Sequence, residues 1–151
     1  MGVYRICRSF TVESGHMLSK HPEKCRFPHG HTRRIEVVVS AQKLNKNEMV
    51  VDFKALKNAV EPFVEMFDHS MAINSNDPLL PELQTRYPDG IVVYEDLDPT
   101  TEVIAKDIFD FIAELFEKGW SNDKYKIPAG KITLERVRVW ETPQSWAEYG
   151  F

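Results

Sequence analysis

The strongest constraint on the fold is where the hydrophobic period changes along the chain. Ile35, Val37 and Val39 alternate with Arg34, Glu36 and Ser40, the two-residue period of a half-buried strand. Ile104, Ile108, Phe111, Ile112, Leu115 and Phe116 instead recur at helical spacing and share one face. Applied throughout, this test reads residues 3–13 and 31–44 as strands, 53–67 and 101–118 as helices, and 131–140 and 144–149 as strands. Arg8 interrupts the apolar parity of the first strand, and Pro62 falls inside the first helix, where it lacks a donor and crowds the preceding turn. Asp52 is placed to cap that helix, while Gly119 is placed to stop the second. Strands grouped with strands and helices with helices predict an α+β fold. Its expected form is a four-stranded antiparallel sheet with two helices packed on one face.

Two stretches resist this reading. Leu18 to Pro28 is irregular, and residues 70–98 hold Pro78, Pro81, Pro88 and Gly90 around the short apolar run Ile91–Tyr94. A long loop is expected at about 70–98, with at most one short strand. The 151 residues suit a single domain with its own core. No apolar run is long enough to span a bilayer. The N-terminus enters a strand pattern without a signal-peptide core, so a cytoplasmic location is expected. A net charge of −4 with scattered basic residues argues against nucleic acid as a partner, while leaving room for a small anionic substrate.

Four of the five histidines lie in the first third of the chain. In extended backbone His29 and His31 point to one side, and Gly30 permits close backbone approach. His16 ends the first strand and meets them if the two strands pair. Three imidazoles with an open fourth position suit catalytic zinc. A lone His-x-His is weak evidence, and ordinary polar loop histidines are the competing reading. His21 fits no such pattern and is read as surface. Cys25, four residues before His29, is a candidate base or nucleophile, a fourth zinc ligand, or a small buried residue. Cys7, inside a strand, is read as the last of these. Asp68-His69 suggests an acid–base pair or a helix-end cap; adjacent side chains seldom face each other, which leaves Asp68 free to orient something else. Glu141 shares the buried parity of Val137 and Val139. It suits a guanidine-like ring edge, although an exposed strand end is the simpler reading.

Six segments occur in order: Phe10–His16, Cys25-x-x-x-His29-Gly30-His31, Val51-Asp52-Phe53, Phe67-Asp68-His69, Pro99-Thr100-Thr101-Glu102 and Val139-Trp140-Glu141-Thr142. Together they resemble the 6-pyruvoyl-tetrahydropterin synthase and 6-carboxy-tetrahydropterin synthase family over nearly the whole chain. The resemblance implies a tunnelling fold whose subunits join into a barrel, and a homohexamer of two trimers with sites between subunits. It implies zinc on His16, His29 and His31. It also implies proton transfer by Cys25, Asp68 and His69, and pterin binding by Glu141 with Thr100, Thr101 and Glu102 nearby. The implied substrate is 7,8-dihydroneopterin triphosphate. The three-residue spacer after Cys25 is more like the 6-carboxy-tetrahydropterin synthases of 7-deazaguanine and queuosine biosynthesis, which release triphosphate and acetaldehyde. Rival readings are the 6-pyruvoyl product, a non-catalytic zinc-containing pterin-binding protein, and a zinc hydrolase. Two departures stand out: the long 70–98 segment, and Arg33-Arg34 after His31, with Arg33 on the histidines' side.

Overall fold

A computed structural model describes residues 2–151. The elements are β1 (Tyr4–His16), β2 (His29–Ala41), α1 (Phe53–Val64), β3 (Met71–Asn74), α2 (Leu80–Arg86), β4 (Ile91–Tyr94) and α3 (Thr101–Lys118). A small hairpin of β5 (Trp120–Ser121) and β6 (Lys126–Ile127) follows, then β7 (Thr133–Thr142) and β8 (Ser145–Gly150). Among the described residues no helix is long and apolar enough to cross a membrane.

The expected four antiparallel strands are β1, β2, β7 and β8, but the sheet has six, in the order β4-β3-β1-β2-β7-β8. The extra two come from the stretch expected to be loop: β3 pairs in parallel with β1, and β4 pairs in parallel with β3. Each is four residues long, and Ala72, Ile73 and Asn74 of β3 are all buried. A strand buried on both faces shows no alternation, so the two-residue test cannot find it. The same stretch supplies a third helix, α2.

The helices α1 and α3 share one apolar cluster with the sheet. Phe10, Val12, Ile35, Val37, Val39, Val137 and Val139 from the strands meet Leu56, Val60, Ile104, Ile108 and Ile112. Asp52 caps α1 by accepting from the Lys54 N–H at 2.8 Å. Beyond Pro62 the helix tightens into a single 3-10 turn at Glu65–Phe67, so the expected 53–67 helix ends three residues early. Thr100 caps α3, and Gly119 ends it in left-handed backbone at φ +82°. On the opposite face of the sheet lie Thr11, Arg34, Glu36, Arg138 and Trp140. The Trp140 indole donates to Glu36 at 2.8 Å, and Arg138 sits 3.7 Å above the Trp146 ring. Cys7, expected to be buried, is exposed.

Register is what builds the functional end of the sheet. The β1–β2 ladder runs from Tyr4 opposite Ala41 to His16 opposite His29, with Gly15 opposite Gly30. A Cβ on Gly30 would lie 3.2 Å from the Ser14 carbonyl oxygen. One on Gly15 would lie 2.9 Å from the Met71 methyl and 3.2 Å from the Ser70 carbonyl oxygen. Two facing glycines therefore let β1, β2 and β3 close on one another beside the histidines.

Ile108 is fully buried where α3 meets the sheet. Ile108→Ala is expected to cost about 2–5 kcal/mol, as large-to-small core changes do. Urea unfolding checks this; a loss under about 1 kcal/mol would contradict the packing of α3.

Candidate metal centre

The three imidazoles meet at the end of the β1–β2 ladder, with ring centroids 4.5 to 5.1 Å apart. Their ligand atoms all lie within 4.8 Å of one another. Two rings have their tautomer set by backbone. His16 Nδ1 lies 2.8 Å from the Pro99 carbonyl oxygen and His29 Nδ1 2.7 Å from that of Phe27. A carbonyl only accepts, so both Nδ1 atoms carry the proton and both Nε2 lone pairs face inward. His16 Nε2 and His31 Nε2 are 3.1 Å apart. Two nitrogens bound to one tetrahedral zinc stand about 3.4 Å apart, given bonds of about 2.0–2.1 Å. The three-imidazole donor set suits a zinc ion, and the His16 and His31 nitrogens stand close to the spacing it needs.

Electrostatics favour the neutral, ligating form. His16 is fully buried, and its pKa falls to about 4, chiefly through burial, with Arg33 and the neighbouring imidazoles adding to the shift against the Pro99 bond. Burial and then Arg33 also lower His31, with Glu141 opposing.

Glu141, for which an exposed strand end was the simpler reading, stands at this centre. Its Oε1 is 3.8 Å from His16 Nε2 and 3.7 Å from His31 Nε2. It accepts from the Thr101 hydroxyl at 2.9 Å. Burial pushes its pKa up, but the Thr101 bond, His31, Arg33 and His16 together bring it below the usual carboxylate value. The shared parity of Val137, Val139 and Glu141 was the signal. Thr101 is buried and also accepts from Arg33 Nη1 at 3.0 Å. The neighbouring Thr100 and Glu102 are not part of this cluster: Thr100 uses its hydroxyl to cap α3, and Glu102 is exposed.

A profile of the 6-pyruvoyl tetrahydropterin synthase family matches residues 5–150. The chain belongs to this family. It is 31% identical to the 6-carboxy-5,6,7,8-tetrahydropterin synthase of Aquifex aeolicus, over 97% of each chain. It is 26% identical to the enzyme of the same name from Haemophilus influenzae, over 97% of this chain and 99% of the other. In fold it is similar to the 6-pyruvoyl tetrahydropterin synthase of Caenorhabditis elegans, with a TM-score of 0.66 at 18% identity, covering 100% and 97% of the two chains.

The remaining family motif residues stand outside the histidine cluster. Cys25 is half-buried in a 3-10 turn at Lys24–Arg26, and its thiol does not join the three imidazoles as a ligand. His21 accepts from the Glu23 N–H in the same loop. Asp68 and His69 do face each other. Asp68 Oδ2 accepts from His69 Nδ1 at 3.0 Å, while Asp68 Oδ1 accepts from the Glu13 N–H at 2.8 Å. Adjacent side chains meet here because His69 sits in left-handed backbone at φ +56°, rare for a non-glycine residue. Its ring is 78% exposed. Grooves open on both sides of His31. One, of about 670 Å3, holds Glu141, Arg34 and Trp140; the other, of about 990 Å3, is walled by His69 and by Arg86 and Tyr87 from the 70–98 segment.

Asp98 has no counterpart in the sequence reading. Its carboxylate accepts from the Ser19 hydroxyl at 2.7 Å, the Lys20 N–H at 2.8 Å and the Asn74 amide at 3.0 Å. It thereby ties β3 and the segment after β1 to Pro99, the residue that orients His16. Burial would raise its pKa, but the bonds from Asn74, Lys20 and Ser19 outweigh that and lower it. A depressed carboxylate stabilises the fold above its unfolded value near 3.9, and that contribution is lost as pH falls through the folded value. Asp98→Asn is expected to destabilise by about 1–3 kcal/mol at pH 7. In denaturant titrations from pH 7 to pH 3, the gap between parent and variant should narrow at the acid end; a constant gap would refute the assignment.

Proposed function

We propose that the protein is a zinc-dependent lyase that converts 7,8-dihydroneopterin triphosphate to 6-carboxy-5,6,7,8-tetrahydropterin, releasing triphosphate and acetaldehyde. This places it in the cytoplasmic synthesis of 7-deazaguanines and queuosine. The observation that carries the reading is a single locus. The Nε2 atoms of His16 and His31 stand within 4 Å of each other and of Glu141, His29 completes the set of three imidazoles beside them, and His31 and Glu141 line a groove sized for a small ligand. The relatives named 6-carboxy-5,6,7,8-tetrahydropterin synthase favour this product, as does the three-residue spacer between Cys25 and His29.

His16, His29 and His31 hold the zinc, which supplies a Lewis acid and template for the side-chain hydroxyls of the substrate. Glu141 accepts two parallel hydrogen bonds from the guanidine-like edge of the pterin, and this fixes the ring. Thr101 holds that carboxylate in place; Thr100 and Glu102 form the turn behind it. Cys25 takes a proton as thiolate. His69 relays protons, held by Asp68 in one tautomer. In one chain the exposed His69 and Glu141 line different grooves that share only the edge around His31, which supports a site completed by a second copy. We assign the assembly as a homohexamer of two trimers whose sheets join into a tunnelling-fold barrel.

The 6-pyruvoyl product is the second reading, favoured by the name of the matching family profile and of the Caenorhabditis elegans structure. Mass analysis of the products from dihydroneopterin triphosphate decides between them. Absence of both products and of free triphosphate would sink either lyase reading. Cys25→Ala is expected to lower turnover by at least about 100-fold while about one zinc per chain remains. Loss of zinc with unfolding would instead favour a structural metal in a pterin-binding protein. Light scattering should report a hexamer at micromolar concentration, and a stable monomer there would count against the shared site.

A further inference from the structure

Arg33 is the largest fully buried side chain, at 1% exposure. A buried guanidinium normally has acceptors for most of its five N–H groups, because desolvating the charge is expensive. This one has a single good acceptor, the Thr101 hydroxyl oxygen at 3.0 Å. Its Nε is buried without any partner. Its Nη2 lies 3.2 Å from His16 Nδ1 and 3.5 Å from His16 Nε2. Nδ1 already gives its proton to Pro99 and cannot accept, so that contact is the cation resting against the ring. As a stabilising element Arg33 is therefore poor, and a different reason is needed for keeping a charge there.

The direction of the hydrogen bonds supplies that reason. A threonine hydroxyl can donate or accept, whereas a guanidinium can only donate. With Arg33 donating to Thr101, the Thr101 proton is committed to Glu141 Oε1, 2.9 Å away. We propose that Arg33 is a positioning residue for ligand recognition: by occupying a lone pair of the Thr101 hydroxyl it keeps that proton aimed at Glu141, which as a carboxylate can only accept, and so holds the carboxylate in place to face a ligand with paired N–H donors. This rests on the reading of Glu141 as the pterin anchor. Arg33 itself need touch neither ligand nor metal.

The test uses the purified full chain with neopterin as a fluorescent probe, zinc content by elemental analysis, and thermal unfolding. Arg33→Met is expected to keep its zinc and its melting temperature, since an apolar side chain of similar length replaces an under-bonded buried cation. Its neopterin Kd should rise about tenfold, the loss typical of one hydrogen bond to a charged group, with KM rising more than kcat falls. Arg33→Lys keeps a donor that cannot accept and should recover part of the affinity. In a double-mutant cycle, Arg33→Met and Thr101→Val should be strongly non-additive, because both cut the same chain. A folded, zinc-loaded Arg33→Met protein with a Kd within twofold of the parent would overturn the inference. So would additive effects in the cycle, or a lowered melting temperature with unchanged binding. If the parent itself fails to bind neopterin, the reading of Glu141 falls, an outcome distinct from these.

Discussion

The hydrogen bond from His16 Nδ1 to the Pro99 carbonyl is the contact on which the arrangement turns. It is fully buried, spans 83 residues of sequence and joins the end of β1 to the start of α3. It fixes the His16 tautomer, and it also brings Thr101 in α3 to Arg33 and Glu141. A carbonyl is a poor anchor unless its own backbone is held. Asp98 holds it with three donors from two other segments. The stretch 70–98 is thus part of the site's foundation: β3 contributes Asn74, and the end of the segment contributes Asp98.

The sequence exposed the long elements well and the short ones badly, for a physical reason. The four long strands and the helices α1 and α3 each bury one face, so polarity alternates and the pattern is visible. The strands β3 and β4 have neighbours on both faces or lie near an edge. Their four residues carry no readable period, and the prolines around them suggest loop. The missed α2 is only seven residues long, carries Pro81 as its second residue and buries Leu80 alone.

The site divides in the same way. His16, His29 and His31 were legible because strand parity and one assumed pairing bring them together, and the ladder register supplies that pairing. Arg33 was placed on their side by the same parity. The role of Glu141 was not decidable from its own strand, because the groups that hold it, Thr101 and Arg33, lie 40 and 108 residues away. Asp98 was invisible because its partners come from two distant stretches, Ser19-Lys20 and Asn74. Asp68 does both things its motif left open, pairing with His69 and holding the Glu13 N–H, and the pairing of neighbours was hard to foresee because His69 is in left-handed backbone.

One strand sets both halves of the chemistry. On its inward parity β1 presents Ser14 and His16, both buried. At Glu13 its backbone accepts the His69 N–H at 2.6 Å and donates to Asp68 at 2.8 Å. The strained His69 conformation costs of order 1–3 kcal/mol and persists only where several contacts over-determine it. Here the strand supplies two of them and Asp68 a third. A one-residue slip of β1 would turn His16 away from its partners and move the backbone groups that seat His69. The facing pair Gly15 and Gly30 is the local safeguard, because a Cβ at either position would press on the backbone of the neighbouring strand or segment at 3.2 Å. The position of an exposed imidazole and that of the three-histidine cluster that could hold a metal ion are thereby fixed by a single register.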